Sequence, residues 1–286
     1  MFSNSLTESM LAASNAMQDH IDKLLPEDFT DSKLMQAMRY SSLSGGKRIR
    51  PFLVLATSNM LGIDFRNSLN AAAALEFIHT YSLIHDDLPA MDDDDFRRNQ
   101  PSCHKQFDEA TAILAGDGLL TLAFEILSDE KTHRDSMVRC ELIKTLAKAS
   151  GFRGMVGGQA IDLEKANQKI DEQELIKLHL LKTGELFMAA TQFGAIIGGA
   201  SESEKTALRL YASSLGLAFQ IKDDILDYNE NDSNKTKNDN VSIVDIIGIK
   251  QAQERLESLR WQAISHLQIF GDKAKLLIDL VDFVVN

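Results

Sequence analysis

Six carboxylates, Asp86, Asp87 and Asp92 to Asp95, crowd residues 86–95, and Arg97 and Arg98 follow at once. Two carboxylates about 4 Å apart repel by about 4 kcal/mol at an effective dielectric of about 20. A fold that gathers six of them needs either open solvent or cations. Leu75, Ile78, Tyr81 and His85 precede the acids at helical spacing, which predicts a buried helix delivering the acids at its C-terminus. The helix dipole disfavours anions there, so acids at that end point to a bound cation. The donors are oxygen only, without a Cys or multi-His cluster, which favours Mg²⁺ bridging carboxylates to substrate phosphates. A second acidic group, Asp223, Asp224 and Asp227, closes another apolar stretch, with Asp223 and Asp227 as i,i+4 neighbours on one helix face. If the two groups face one cleft, metal ions between them would bind a diphosphate that neither wall holds alone.

The cations lie elsewhere in the chain. Gly45-Gly-Lys-Arg-Ile-Arg-Pro51 is a basic turn that brings Lys47, Arg48 and Arg50 together. Its glycines permit close backbone approach to a ligand, and Pro51 suits the first position of a following helix. It is not a P-loop, since no strand precedes it and G-x-x-x-x-G-K-[ST] is absent. Lys182 sits with Thr183 and Gly184 in an apolar stretch, either snorkelling or aimed at an anion. Glu76 and His79 have the Glu-x-x-His spacing of di-iron bundles, but a second such pair is missing. A polar role for His79 in the cleft of the acids is the better reading.

The elements that must position these groups are helices. The four prolines all precede residue 102, and alternating β-branched runs are scarce. Helices are expected over 5–25, 31–43 with Asp31 as N-cap, 51–61, 67–88, 110–128, 137–150, a segment over 154–162 with Gln159 and Asp162 available to a cleft, 171–199, 203–227, 241–260 and 261–284. The stretch 228–240 reads as a polar loop, and the lone Trp261 as core. At 286 residues with 44% hydrophobic content the chain can bury a large core, and no linker breaks the composition, so a single domain over 1–286 is expected. A formal charge of −12 argues against nucleic acid as partner and requires any phosphate site to be built from local cations or metal. Cys103 and Cys140 form neither a zinc spacing nor a disulfide framework. No basic-then-apolar leader is visible at the N-terminus, and no run of about 18 apolar residues predicts a membrane span. The expected compartment is the cytoplasm.

In order along the chain, Gly45-Gly-Lys-Arg-Ile-Arg-Pro51, Ile78 to Asp92, Arg97-Arg98, Ala115-Gly-Asp-Gly118, Gly157-Gly-Gln159, Lys182-Thr-Gly184 and Phe219-Gln-Ile-Lys-Asp-Asp-Ile-Leu-Asp227 resemble the short-chain trans-prenyl diphosphate synthases. The resemblance covers nearly the whole chain. It implies an all-α isoprenoid synthase fold, a bundle of roughly ten or more helices around a deep central cavity, usually a homodimer. It implies that Asp86, Asp87 and Asp92 on one wall, and Asp223 with Asp227 on the other, ligate about three Mg²⁺ ions once diphosphate is bound. Arg97, Lys182, Thr183, Gln220 and Lys237 would hold the allylic diphosphate. Lys47, Arg50, His79 and Arg98 would hold isopentenyl diphosphate.

The implied reaction joins isopentenyl diphosphate to dimethylallyl or geranyl diphosphate, with Asp86, Asp92, Lys182 and Asp223 as the catalytic set. It needs no protein nucleophile, which agrees with the lack of a Ser/His/Asp or Cys/His constellation. Tyr81 and Ser82 lie one to one-and-a-half turns before Asp86, where a bulky aromatic would floor the cavity. With the Leu88-Pro89 insertion, they imply the fifteen-carbon farnesyl product. Competing readings are a geranyl or geranylgeranyl diphosphate synthase, a terpene cyclase, and a non-catalytic homologue. The segment after Asp227 lacks the glycines and prolines usual in the family, leaving Lys237 or Lys235 as its only diphosphate contact.

Overall fold

A computed structural model describes residues 2–3, 5–27, 31–165, 168, 170–231 and 241–286. The elements are α1 (Leu6–Leu24), α2 (Lys33–Leu43), α3 (Ile49–Met60), a 3₁₀ turn (Phe65–Ser68), α4 (Leu69–Asp86), a hairpin of β1 (Phe96–Arg97) and β2 (Gln100–Pro101), α5 (Cys103–Gln106) and α6 (Glu109–Ser128). They continue with α7 (Ser136–Ser150), α8 (Met155–Lys165), α9 (Glu172–His179), a π turn (Leu180–Gly184), α10 (Glu185–Ile197), α11 (Glu202–Asn231), α12 (Ile243–Ile247), α13 (Ile249–His266), a 3₁₀ stretch (Gln268–Ala274) and α14 (Lys275–Val285). The fold is all-α, as expected. The chain forms two compact units, 1–144 with 196–198, and 145–195 with 199–286.

In the first unit α4 packs against α1, α2, α3 and α6. Every residue from Ala71 to Ile78 is buried, so this helix is enclosed on all sides rather than amphipathic. The four alanines at 71–74 combine the best helix propensity with side chains short enough for neighbours to close in. The carboxylate of Asp108 caps α6 by accepting from Thr111 N at 2.7 Å. Gly116 on α6 is required by packing: a β-carbon there would lie 2.0 Å from Nε2 of His85 on α4.

In the second unit α11 packs against α13, α14 and the π turn. Its 30 residues make a rod about 45 Å long. Tyr211 in its middle is buried and donates to the carbonyl of Leu277 at 2.9 Å. On α14, Leu277, Leu280, Val281, Val284 and Val285 form the buried stripe, at the i, i+3, i+4, i+7, i+8 spacing of a helix with one dry face.

Several sequence expectations need correction. Ser32, not Asp31, holds the N-cap position of α2, and no side chain bonds there. α3 begins two residues before Pro51, within the first turn where a missing N–H is still harmless. α11 continues through Tyr228 to Asn231, because nothing in that stretch breaks a helix. Trp261 is 63% exposed rather than core. α13 runs straight through it, and the Arg260 guanidinium lies 5.2 Å from its ring centroid. By length and composition alone, Glu109–Ser128 on α6 is apolar enough to cross a membrane. Its buried residues Ala112, Ala115, Gly116, Leu119 and Ala123 instead pack it into the first unit.

Candidate active site

The first unit carries the Asp86–Asp92 turn and a basic patch. α4 ends at Asp86 and the chain doubles back, so that Asp92 N donates to Asp86 O at 2.9 Å and Asp93 N to Leu88 O at 3.1 Å. These bonds bring the first and last acids of the motif to one end of α4. Asp87 is buried, and Arg97 Nε donates to its Oδ1 at 2.8 Å. Burial raises the Asp87 carboxyl, and Arg97 opposes that rise. Arg97 also reaches Asp94 at 3.1 Å. A guanidinium thus stands between a buried and an exposed carboxylate, holding the acidic turn in shape.

The hairpin aims the next arginine. Arg98 and Asn99 have φ of 53° and 61°, the two left-handed residues of a type I′ turn. Arg98 Nη1 donates to the carbonyl of Gly45 and lies 3.3 Å from Ser44 Oγ. A β-carbon on Gly46 would sit 2.8 Å from Cζ of Arg98, so the glycine is the berth of the guanidinium. Arg50 Nη1 lies 3.3 Å from His79 Nε2. The imidazole of His79 is held well below its usual range, by burial and then by Arg50, Arg98, Arg48 and Arg97. A neutral histidine ringed by arginines marks a place where positive charge converges and an anion is wanted.

Arg48 plays another part. Its guanidinium and the Glu76 carboxylate are 2.6 Å apart with side chains 2% and 3% exposed, and Arg48 also donates to Ser42 O at 2.5 Å. Glu76 is therefore engaged by an arginine, which removes the di-iron reading. Lys47 is exposed on the same turn. Tyr81 is buried one turn before the acids, edge-on to His85 at 5.7 Å, and burial with Asp86 nearby pushes its hydroxyl up to about 12. Ser82 Oγ donates to His79 O at 2.9 Å. A pocket open to solvent adjoins this site, lined by Asp87, Arg97, Arg98, Thr80, Ile84 and Ser102 among others.

The second unit gathers the rest. The π turn, with Glu185 N donating to Leu180 O, inserts one extra residue, and such turns cluster at functional sites. Within it, Lys182 Nζ donates to Asp162 Oδ2 at 2.6 Å and Thr183 Oγ1 donates to Gln220 Oε1. Lys182 is thus half-buried and paired rather than snorkelling. It is held by a carboxylate from α8, which approaches the turn so closely that a β-carbon on Gly158 would lie 2.4 Å from Lys182 N. Beside them, neither carboxamide atom of Gln159 has a hydrogen-bond partner although both are buried.

Asp223, Asp224 and Asp227 lie on α11, with Asp223 two turns before its end rather than at it. Asp224 accepts from Ile243 N at 2.7 Å, and its carboxyl is pushed up to about 6 by burial and then by Asp227, Asp223 and Asp245. Such crowding of acids is what a bound cation relieves. The oxygen-only donors of both units therefore fit Mg²⁺. Lys237 and Lys235 fall outside the described residues. Sequence reasoning makes Gln159 and Asp162 available to a cleft without giving either a role. Their helical spacing places them near one another on α8, but the pairing of Asp162 with Lys182 on the π turn has no sequence signal.

Residues 31–260 match the family described as Polyprenyl synthetase. The chain is 46% identical over 265 residues to the farnesyl diphosphate synthase of Escherichia coli, covering 90% of this chain and 83% of that one. It is 39% identical over 296 residues to geranylgeranyl pyrophosphate synthase 4 of Arabidopsis thaliana, covering 100% and 79%. The crystal structure of an FPP/GFPP synthase from Zymomonas mobilis superposes with a TM-score of 0.91 at 42% identity, covering 98% of this chain and 99% of that one. On the match over residues 31–260 and the identity to these relatives, this chain belongs to the polyprenyl synthetase family.

Proposed function

We propose that the protein condenses isopentenyl diphosphate with dimethylallyl and then geranyl diphosphate to give (E,E)-farnesyl diphosphate. The observation that carries this reading is the convergence of Arg50, neutral His79 and Arg98 in the same unit as the Asp86–Asp92 turn. A chain of net charge −12 has little reason to build an anion site there unless an anionic substrate is handled with metal. The relatives named farnesyl diphosphate synthase support the same conclusion.

Asp86, Asp87 and Asp92, with Asp223 and Asp227, are proposed to hold the Mg²⁺ ions. Bound there, Mg²⁺ supplies Lewis-acid stabilisation of the leaving diphosphate. Lys182, Thr183, Gln220 and Arg97 are assigned to the allylic diphosphate, with Lys237 as an added contact. Lys47, Arg50, His79 and Arg98 are assigned to isopentenyl diphosphate. The allylic C–O bond breaks with its electron pair leaving on diphosphate. The alkene electrons of isopentenyl diphosphate form the new C–C bond, and the proton lost next goes to the released diphosphate. Holding both substrates supplies the proximity term, and fixed cations supply the electrostatic one. Asp162 positions Lys182. Tyr81 with Ser82 sets the end of the growing tail.

Residues of both units serve this one reaction, so residues 1–286 act as one functional domain. A homodimer in the cytoplasm completes the reading, supported by the exposed apolar pair Ile113 and Leu114 on α6 and checked by sedimentation and fractionation. The test of the activity is purified protein with both substrates and Mg²⁺. Farnesyl diphosphate should form, and both EDTA and Asp86→Asn should cut turnover by at least about a hundredfold. Turnover that survives both treatments would overturn the reading. The geranylgeranyl alternative is favoured by the plant relatives named geranylgeranyl pyrophosphate synthase, and mass analysis of the product decides it.

A further inference from the structure

We propose a second metal site, formed by Asp93, Asp95 and His104, that takes a borderline divalent cation such as Zn²⁺ and is distinct from the Mg²⁺ carboxylates. Each of the three offers one ligand atom, and these atoms lie within 4.8 Å of one another. An acidic turn alone would not mark a site. The independent observation is His104, which is only 7% exposed and whose Nε2 is buried without a hydrogen-bond partner. Its Nδ1 lies 3.1 Å from Ser102 Oγ. With Nδ1–H donating to the Ser102 hydroxyl, the lone pair stands on the unpartnered Nε2, the arrangement that supports a metal-bound histidine.

The hairpin explains how residues so far apart in sequence meet. β1 and β2 pair Phe96 with Pro101 and Arg97 with Gln100, and Ser102 N donates to Asp95 O at 2.9 Å. That bond extends the pairing by one step and sets the first turn of α5 beside the end of the acidic run. Lys105 Nζ stands 2.8 Å from Asp95 Oδ1, leaving the second oxygen of that carboxylate for a ligand role. The donor set is one nitrogen and two oxygens. Mg²⁺ prefers oxygen alone, whereas Zn²⁺ takes imidazole and carboxylate together in a four-coordinate shell that water can complete. Bound metal would pin the turn after Asp92 to α5.

The test uses full-length protein, stripped of metal and titrated with ZnCl₂ in a large excess of Mg²⁺, with bound zinc read by mass spectrometry. Co²⁺ serves as a spectroscopic stand-in for nitrogen ligation. About one equivalent of zinc should resist the Mg²⁺. Asp93→Asn and His104→Gln should each weaken it at least about tenfold, and His104→Gln should abolish the nitrogen-ligated Co²⁺ band. Asp86→Asn and Asp223→Asn should retain the zinc. Asp93 is exposed, so its variant separates ligation from folding. Failure of the wild-type protein to hold zinc against Mg²⁺, or equal zinc binding by both site variants, overturns the proposal. Neither outcome bears on the prenyl-transfer reading.

Discussion

Single residues here carry charges that the surroundings have already settled. His79 is kept neutral by burial and by the arginines around it, so it can serve a diphosphate only as a hydrogen-bonding group. The KM for isopentenyl diphosphate should accordingly stay flat from about pH 6 to 8 on the histidine's account, and His79→Gln should raise it less than His79→Ala. A KM that rises steeply across that window in wild type but not in His79→Gln would contradict the assignment. His179 is pushed down to about 4 from 6.5, by burial first. The folded state therefore binds fewer protons than the unfolded one. The stability contribution is complete above the unfolded value and falls as pH drops toward 4, by on the order of 3 kcal/mol in all. His179→Gln should flatten the acid limb of a urea-denaturation profile between those limits.

The buried pair of Arg48 and Glu76 is legible in sequence only as a cation beside two others and a glutamate near a histidine. Nothing in residue spacing says that this arginine of the three turns inward. Glu76→Gln should cost about 3–5 kcal/mol by stranding the guanidinium, whereas Arg48→Met with Glu76→Leu should recover most of it. Chemical denaturation of the three proteins checks this.

At the scale of elements, the sequence locates what repeats or what breaks, and misses what depends on a partner. The approach of α4 to Asp86 is readable because apolar residues recur at 75, 78 and 81. The start of α6 near residue 110 is set by the same periodicity. α11 overruns its expected end because polarity alone does not stop a helix, and Tyr228-Asn-Glu-Asn231 has neither glycine nor proline. Trp261 departs from expectation for a similar reason, since residue type says nothing of the helical phase that sends it outward on α13. The π turn at 180–184 has no periodic signature. It matters because it sets the phase of Lys182 toward Asp162. Deleting Leu181 should restore α-helical phase with little rotation of α10 relative to α9, shift Lys182 away from Asp162, and abolish turnover while circular dichroism stays unchanged. Retained turnover would show that the extra residue is dispensable.

Across the whole chain, a net charge of −12 coexists with a local basic patch in one unit and a paired lysine in the other. The all-α class, the family and the acidic motifs are all visible in residues and spacing. The pairings that orient the cations, Arg97 with Asp87 and Lys182 with Asp162, are not, because each joins segments ten or more residues apart. If Asp86 and Asp223 act on one leaving group, their removal should not be additive. Asp86→Asn, Asp223→Asn and the double variant should lose similar turnover, measured in a double-mutant cycle. Additive losses would indicate separate roles.

From Ala71 to Ile78 the shaft of α4 is enclosed. Behind Tyr81 on the same helical stripe stand Phe77 and Ile78, and beyond them come the alanines 71–74. Bulky side chains at successive turns stand as rungs along the helix. Clearing Tyr81 by Tyr81→Ala should let the hydrocarbon advance to the next rung and halt there, so the product ladder should jump by whole isoprene increments. Chromatography of the chain-length distribution would show a new discrete peak beyond farnesyl, and an unchanged distribution would mean that the first rung lies elsewhere.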